Sequence, residues 1–100
     1  MPGFLLSTEA FIDIDRLYEN GVVTFGLSAA DAYYEGLFAT FDFLASYPHA
    51  ARLRTEVDPP TRVYRYRSHL IVYDVGDRGE VIIQRIRHGR EDWQGDVISH

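Results

Sequence analysis

Along the first half of the chain, apolar residues recur every three or four positions; along the second they alternate with polar ones. Three apolar residues, Phe4-Leu5-Leu6, open the chain as a short strand, and Ser7 or Thr8 then reads as a helix cap. Phe11, Ile14, Tyr18, Val22 and Phe25 form an amphipathic stripe with Asp13, Arg16 and Glu19 off it, which predicts a helix from about Thr8 to Phe25. Gly26 is a fitting stop. A second stripe, Ala30, Tyr33, Leu37, Phe41 and Leu44, is widened by Tyr34, Phe38 and Ala45. Ser28 and Asp31 resemble a capping box at its start, and Pro48 ends it at Ser46-Tyr47. A link of two residues folds the two helices back as an antiparallel hairpin.

Residues 48–60, PHAARLRTEVDPP, read as a linker. Beyond them the period becomes two. TRVYRYRS, HLIVYDV and EVIIQRIRH are rich in β-branched and aromatic residues, separated by Arg67-Ser68 and by Gly76-Asp77-Arg78-Gly79. They predict a three-stranded antiparallel meander. The fold class is therefore α+β, in the order β-α-α-β-β-β, as one domain over residues 1–100 with about 94–100 as a flexible tail.

Composition and charge narrow the function classes. With 46% hydrophobic residues the chain can fill one modest core. It has no cysteine, so disulfides and thiolate metal sites are excluded and the cytoplasm is the expected compartment. No segment has the length of a membrane span, and MPGFLLSTEAF does not have the form of a signal peptide. The net charge of −5 conceals a division: Arg16 is the one basic residue among the first fifty, while nine arginines fall in the second fifty. An acidic total disfavours broad nucleic-acid binding, whereas arginine forks suit a small, directed anionic contact.

The most suggestive stretch runs from Tyr66 to Asp92, ending Arg87-His88-Gly89-Arg90-Glu91-Asp92. It can be read as a nuclease site, an interaction surface or a solvated strand edge. Ribonuclease chemistry would use His88 as acid or base, with Arg85 and Arg90 on the phosphate. The simpler reading pairs the arginines with acidic neighbours. The four histidines, at 49, 69, 88 and 100, stand in no metal-ligand spacing. Adjacent Ser68 and His69 point to opposite faces of a strand, and no phosphate-binding loop is present. No metal, cofactor or catalytic residue is assigned.

From Phe4 to Trp93 the chain resembles the ParE branch of the RelE/ParE toxin superfamily, the plasmid stabilisation toxins. The resemblance is carried by FLLSTEAFIDIDRLYEN, by GLSAADAYYEGLFATFDFLASYP, and most specifically by HLIVY and RIRHGRED. It implies a toxin of a type II toxin–antitoxin pair, held inactive by a small ParD-like antitoxin of the ribbon-helix-helix kind, in a hetero-oligomer such as a heterotetramer. It implies DNA gyrase as target, acting by binding rather than catalysis, with no direct nucleic-acid or membrane contact. On this reading Tyr18, Phe38, Phe41 and Tyr73 belong to an apolar antitoxin groove, although Tyr73, in an apolar strand, also reads as core. Arg62, Arg65, Arg85, His88, Arg90 and Asp92 would contact target or antitoxin. Ribosome-dependent messenger RNA endonucleases, the RelE-like alternative, carry an arginine where this chain has Leu70, and a catalytic tyrosine in the tail, where this chain has only Trp93.

Overall fold

The computed structural model describes residues 3–89. Its elements are β1 (Phe4–Leu6), α1 (Thr8–Phe25), α2 (Leu27–Ser46), β2 (Leu53–Arg54), β3 (Thr61–Tyr66), β4 (His69–Val75) and β5 (Val81–His88). The expected α+β order holds, with one strand more than the sequence suggested. The strands form one sheet in the order β1-β5-β4-β3-β2, antiparallel except where β1 runs parallel to β5 through Phe4↔Val81, Leu5↔Ile82 and Leu6↔Ile83. The helical hairpin packs on one face.

Alternation along the central strand β4 separates two clusters. Ile71 and Tyr73 join Ile14, Leu37, Phe41, Leu44 and Ile83 in the main core, beneath the helices. Leu70 and Val72 point the other way and bury with Val63 in a smaller cluster. No helix covers that second face among the described residues. Across the ladder Leu70 is flanked by Arg65 and Arg87, and Val72 by Val63 and Arg85, so the cluster is bordered by arginines. Between the pairs Val72↔Arg85 and Tyr73↔Ile83, β5 carries one extra residue, Gln84, whose amide donates to Asp74 at 3.2 Å.

The phase of α1 differs from the sequence reading. In α1 the buried residues are Ala10 and Ile14, while Phe11 and Phe25 are 65% and 76% exposed. The face turned to the sheet also carries Asp13, whose carboxylate accepts from Arg85 Nε at 2.8 Å, Arg85 Nη2 at 3.2 Å and the Ile86 backbone N–H at 2.9 Å. The reason is the shortness of β1. It pairs with β5 only as far as Ile83, and the exposed edge beyond needs other partners. The Ser7 N–H donates to the Ile83 carbonyl, its hydroxyl donates to the Gln84 carbonyl while capping α1 at Ala10, and Asp13 takes the Ile86 N–H.

The hairpin turn is tighter than expected. Gly26 alone separates the helices, at φ +95°, where a side chain would be strained. It caps both helices, so Ser28 is inside α2 and no side chain caps that helix. Gly21 lets α2 approach, since a Cβ there would touch the Ala30 side chain at 3.4 Å. The end of α2 at Ser46 agrees with the Pro48 stop signal.

The linker 48–60 is pinned rather than loose. The buried Tyr73 hydroxyl donates to the Pro48 carbonyl at 2.8 Å and accepts from the Ala51 N–H at 3.3 Å; burial pushes this phenol above its ordinary value, which keeps the donor protonated. Arg62 Nη1 donates to the Ala51 carbonyl at 2.7 Å. So held, Leu53 and Arg54 pair with Arg62 and Thr61 as the added strand β2. Within the linker Arg52 grips Glu56 through bonds of 3.2 and 2.8 Å, and that bonding holds the Glu56 carboxyl at about 2, below its ordinary 4.5. A lowered folded-state value means that the pair contributes fully above pH 4.5 and is lost as pH falls through about 2. Carbon-detected titration of Glu56 is expected to show that low midpoint, and Arg52→Ala to return it to the ordinary carboxylate range.

Candidate functional site

Two surface features have the shape of a site. The first is an apolar groove of about 400 Å³ between α1 and α2, lined by Leu6, Phe11, Tyr18, Asp31, Tyr34 and Phe38 among others. An aromatic ladder builds it: the Tyr18 and Tyr34 rings meet edge-on at 5.6 Å, and Tyr34 stacks on Phe38 at 4.5 Å. Phe38 in turn meets Phe4 and the buried Phe41 edge-on. The Tyr18 hydroxyl donates to Asp31 at 2.5 Å, and this bond holds the phenol above its ordinary value. The groove thus offers exposed ring faces with one charged rim, a surface suited to apolar anchors of a partner.

The second feature lies where the β3–β4 turn meets the end of β5. The register Tyr66↔His69↔His88 sets three side chains in one row. The rings of His69 and His88 meet edge-on at 5.4 Å, and the Tyr33 hydroxyl, from α2, lies 2.7 Å from His69 Nδ1. Burial pushes the Tyr33 phenol above its ordinary value, so it remains an O–H group at neutral pH. Arg65 and Arg67 reach the same end of the sheet. Arg67 sits at φ +52°, in the left-handed region, which for a residue with a Cβ costs roughly 1–2 kcal/mol.

The residues singled out from the sequence separate into groups. Tyr18 and Phe38 line the groove. Phe41 and Tyr73 do not: both are fully buried in the core, with no surface to present, which corrects their placement as groove walls. Arg65 and His88 come together at the strand-end cleft. Arg62 lies four residues along β3 from Tyr66 and is engaged with the linker. Arg85 is bonded to Asp13. Arg90 and Asp92 lie outside the described residues.

The sequence reading passed over Phe11 and Tyr34 in the groove and Tyr33, Arg67, Ser68 and His69 at the strand end. A signal for the second set was present. A two-residue turn at Arg67-Ser68 forces Tyr66 opposite His69, and hairpin pairing then carries the row to His88. Among the described residues no group of three or more histidine, aspartate or glutamate side chains could hold a metal ion, and no helix is long and apolar enough to cross a membrane.

Comparison with known proteins gives a consistent result. Residues 4–93 match the family model described as the ParE toxin of type II toxin-antitoxin system, parDE. Toxin ParE1 of Mycobacterium tuberculosis, in the strains CDC 1551 / Oshkosh and ATCC 25618 / H37Rv, is 27% identical over 89 residues, which make up 89% of this chain and 91% of that protein. A chain of the chromosomal ParDE TA system from P. aeruginosa shares the fold with a TM-score of 0.71, at 23% identity, over 88% of this chain and 96% of that one.

Proposed function

The chain belongs to the ParE toxin family of type II toxin–antitoxin systems, and we propose that it is neutralised by a ParD-like antitoxin seated in the α1–α2 groove and that, once released, it inhibits DNA gyrase by binding. The observation that carries the reading is the open aromatic groove itself. Phe11 is 65% and Tyr34 38% exposed, side by side with Phe38. An amphipathic antitoxin segment would insert apolar side chains there, with basic residues facing Asp15 and Asp31 on the rim. A ribbon-helix-helix antitoxin dimer would then bring two toxin chains into a heterotetramer.

A substitution at an exposed groove position tests this without disturbing the core. Tyr34→Glu is expected to weaken antitoxin binding about 100-fold, a loss on the order of 3 kcal/mol and typical of a central anchor, while the melting temperature stays near that of the parent. Unchanged affinity would sink the groove as the docking site. Induction of the chain alone is expected to arrest growth, and the purified protein to inhibit gyrase supercoiling.

One observation favours a second reading, messenger RNA cleavage in the RelE manner. The Tyr33 hydroxyl at His69 Nδ1, beside His88 and Arg65, gathers a tyrosine, two histidines and an arginine although the tail tyrosine is absent. The net charge of −5 opposes docking on ribosomal RNA. Growth arrest with intact supercoiling and cut messages would decide for cleavage; no arrest on induction would remove the toxin reading altogether.

A further inference from the structure

Two cavities adjoin at the strand end, and their chemistries are complementary. The first, about 450 Å³, is polar and walled by Arg65, Arg67, Ser68, His88 and Gly89, with no carboxylate among these described lining residues. The two guanidinium groups bond to neutral partners. Arg65 Nη1 donates to the Arg67 carbonyl at 3.1 Å, and Arg67 Nε donates to the Tyr66 hydroxyl at 3.3 Å. A guanidinium carries five N–H donors, so each arginine keeps donors for an anion beyond the one bond it makes here. Gly89 leaves them room, since a Cβ there would come within 2.9 Å of Arg65 Nη1.

The second cavity, about 530 Å³, is mostly apolar. It lies under the hairpin between Leu17, Gly21 and Phe25 of α1 and Ala30 and Tyr33 of α2, with His69 of the sheet. It shares Ser68 and His88 with the first. A cationic cleft thus opens beside an aromatic one, each within the volume range of small-molecule sites.

Arg67 holds a left-handed conformation, φ +52°, that glycine would adopt without strain. Two-residue hairpin turns call for this conformation, and glycine or asparagine is their usual occupant. Here the side chain it presents is a wall of the cationic cleft.

We propose that this double cavity is a binding site for a nucleoside phosphate, with the phosphate oxygens on Arg65 and Arg67 and the base beside Tyr33 and His69. A mononucleotide fits better than a nucleic-acid strand. A single phosphate needs only the local field of two arginines, whereas a long polyanion meets the chain's overall charge of −5. The double cavity shares no lining residue with the antitoxin groove and does not depend on that assignment.

The test is a titration of the full-length protein, followed by amide chemical shifts and calorimetry. The ligands are adenosine and guanosine 5′-monophosphates, the two nucleosides, inorganic phosphate and a short single-stranded RNA. At least one mononucleotide is expected to shift the amides of Ser68, His69, His88 and Gly89, and to bind at least tenfold more tightly than its nucleoside or phosphate. Arg67→Gly is expected to raise the melting temperature by a few degrees and yet weaken nucleotide binding at least tenfold. Arg65→Ala, at an exposed position, should weaken binding similarly with the fold intact. The proposal is overturned if no mononucleotide binds, or if phosphate alone binds as tightly as the best nucleotide. It is equally overturned if Arg67→Gly keeps full affinity, or if the RNA binds the same residues more than tenfold tighter, which would make the cleft a polynucleotide surface.

Discussion

Phe41→Ala is expected to remove about 3–5 kcal/mol of folding free energy. Phe41 is fully buried and its ring meets Phe4 at 5.2 Å and Phe38 at 5.1 Å, both edge-on. It thereby joins α2 to β1, a strand of only three residues, and to the base of the aromatic ladder in the groove. Truncation leaves a cavity that the surrounding rings fill only by giving up that geometry. A domain of this size has a total stability of about 5–15 kcal/mol, so the loss is a large part of it and should lower the melting temperature by roughly 12–40 °C. Urea unfolding followed by tryptophan-independent circular dichroism is the measurement: the midpoint should fall with little change in slope. A loss below about 1.5 kcal/mol would mean that the rings around Phe41 repack.

Asp13→Ala is expected to cost about 3 kcal/mol, a large effect for a charged residue on a helix surface. The carboxylate is 12% exposed and accepts three bonds, two from Arg85 and one from the Ile86 backbone. Arg85 is about a third exposed, so solvent screens its share. The larger share comes from leaving the Ile86 N–H unbonded at the edge of β5, in the order of 1–3 kcal/mol. Asp13→Asn should recover part of the loss, because an amide oxygen can still accept from Ile86. Combining Asp13→Ala with Arg85→Ala should cost clearly less than the sum of the two single changes, and strict additivity in thermal unfolding would show that they do not act as a pair.

What was legible in the sequence was whatever is decided locally. The spacing of Ala30, Leu37, Phe41 and Leu44, the Pro48 stop, and the Gly76 to Gly79 turn each reflect short-range geometry, and the structure follows them. The phase of α1 was not decided locally. Its aromatic residues Phe11 and Phe25 look like core, yet the buried face carries Ala10, Asp13 and Ile14, because what it packs against is β5, more than seventy residues away. β2 was missed for a related reason. Leu53 and Arg54 have no strong strand signal; they are held in register by Tyr73 and Arg62 gripping the linker. In the candidate sites, Tyr18, Phe38, Arg65 and His88 could be selected by residue type, but not their neighbours. Tyr33 reaches His69 only because a one-residue turn sets the phase of α2 over the sheet.

The parallel pairing of β1 with β5 bears on how the protein is made. Phe4, Leu5 and Leu6 leave the ribosome early, but their hydrogen-bond partners are Val81, Ile82 and Ile83. At roughly 5–20 residues per second the first strand waits on the order of 4–15 seconds for the last. Meanwhile the helical hairpin is complete and has no sheet to cover, and Asp13 has neither Arg85 nor Ile86. Contacts of such long sequence separation form late. Leu6, which lines the aromatic groove, is fixed only when β5 arrives. The nascent chain therefore spends most of its synthesis without the β1–β5 pairing and without the Leu6 wall of its groove. The surface proposed to hold the antitoxin is thus completed only once β5 has been made and β1 can pair with it.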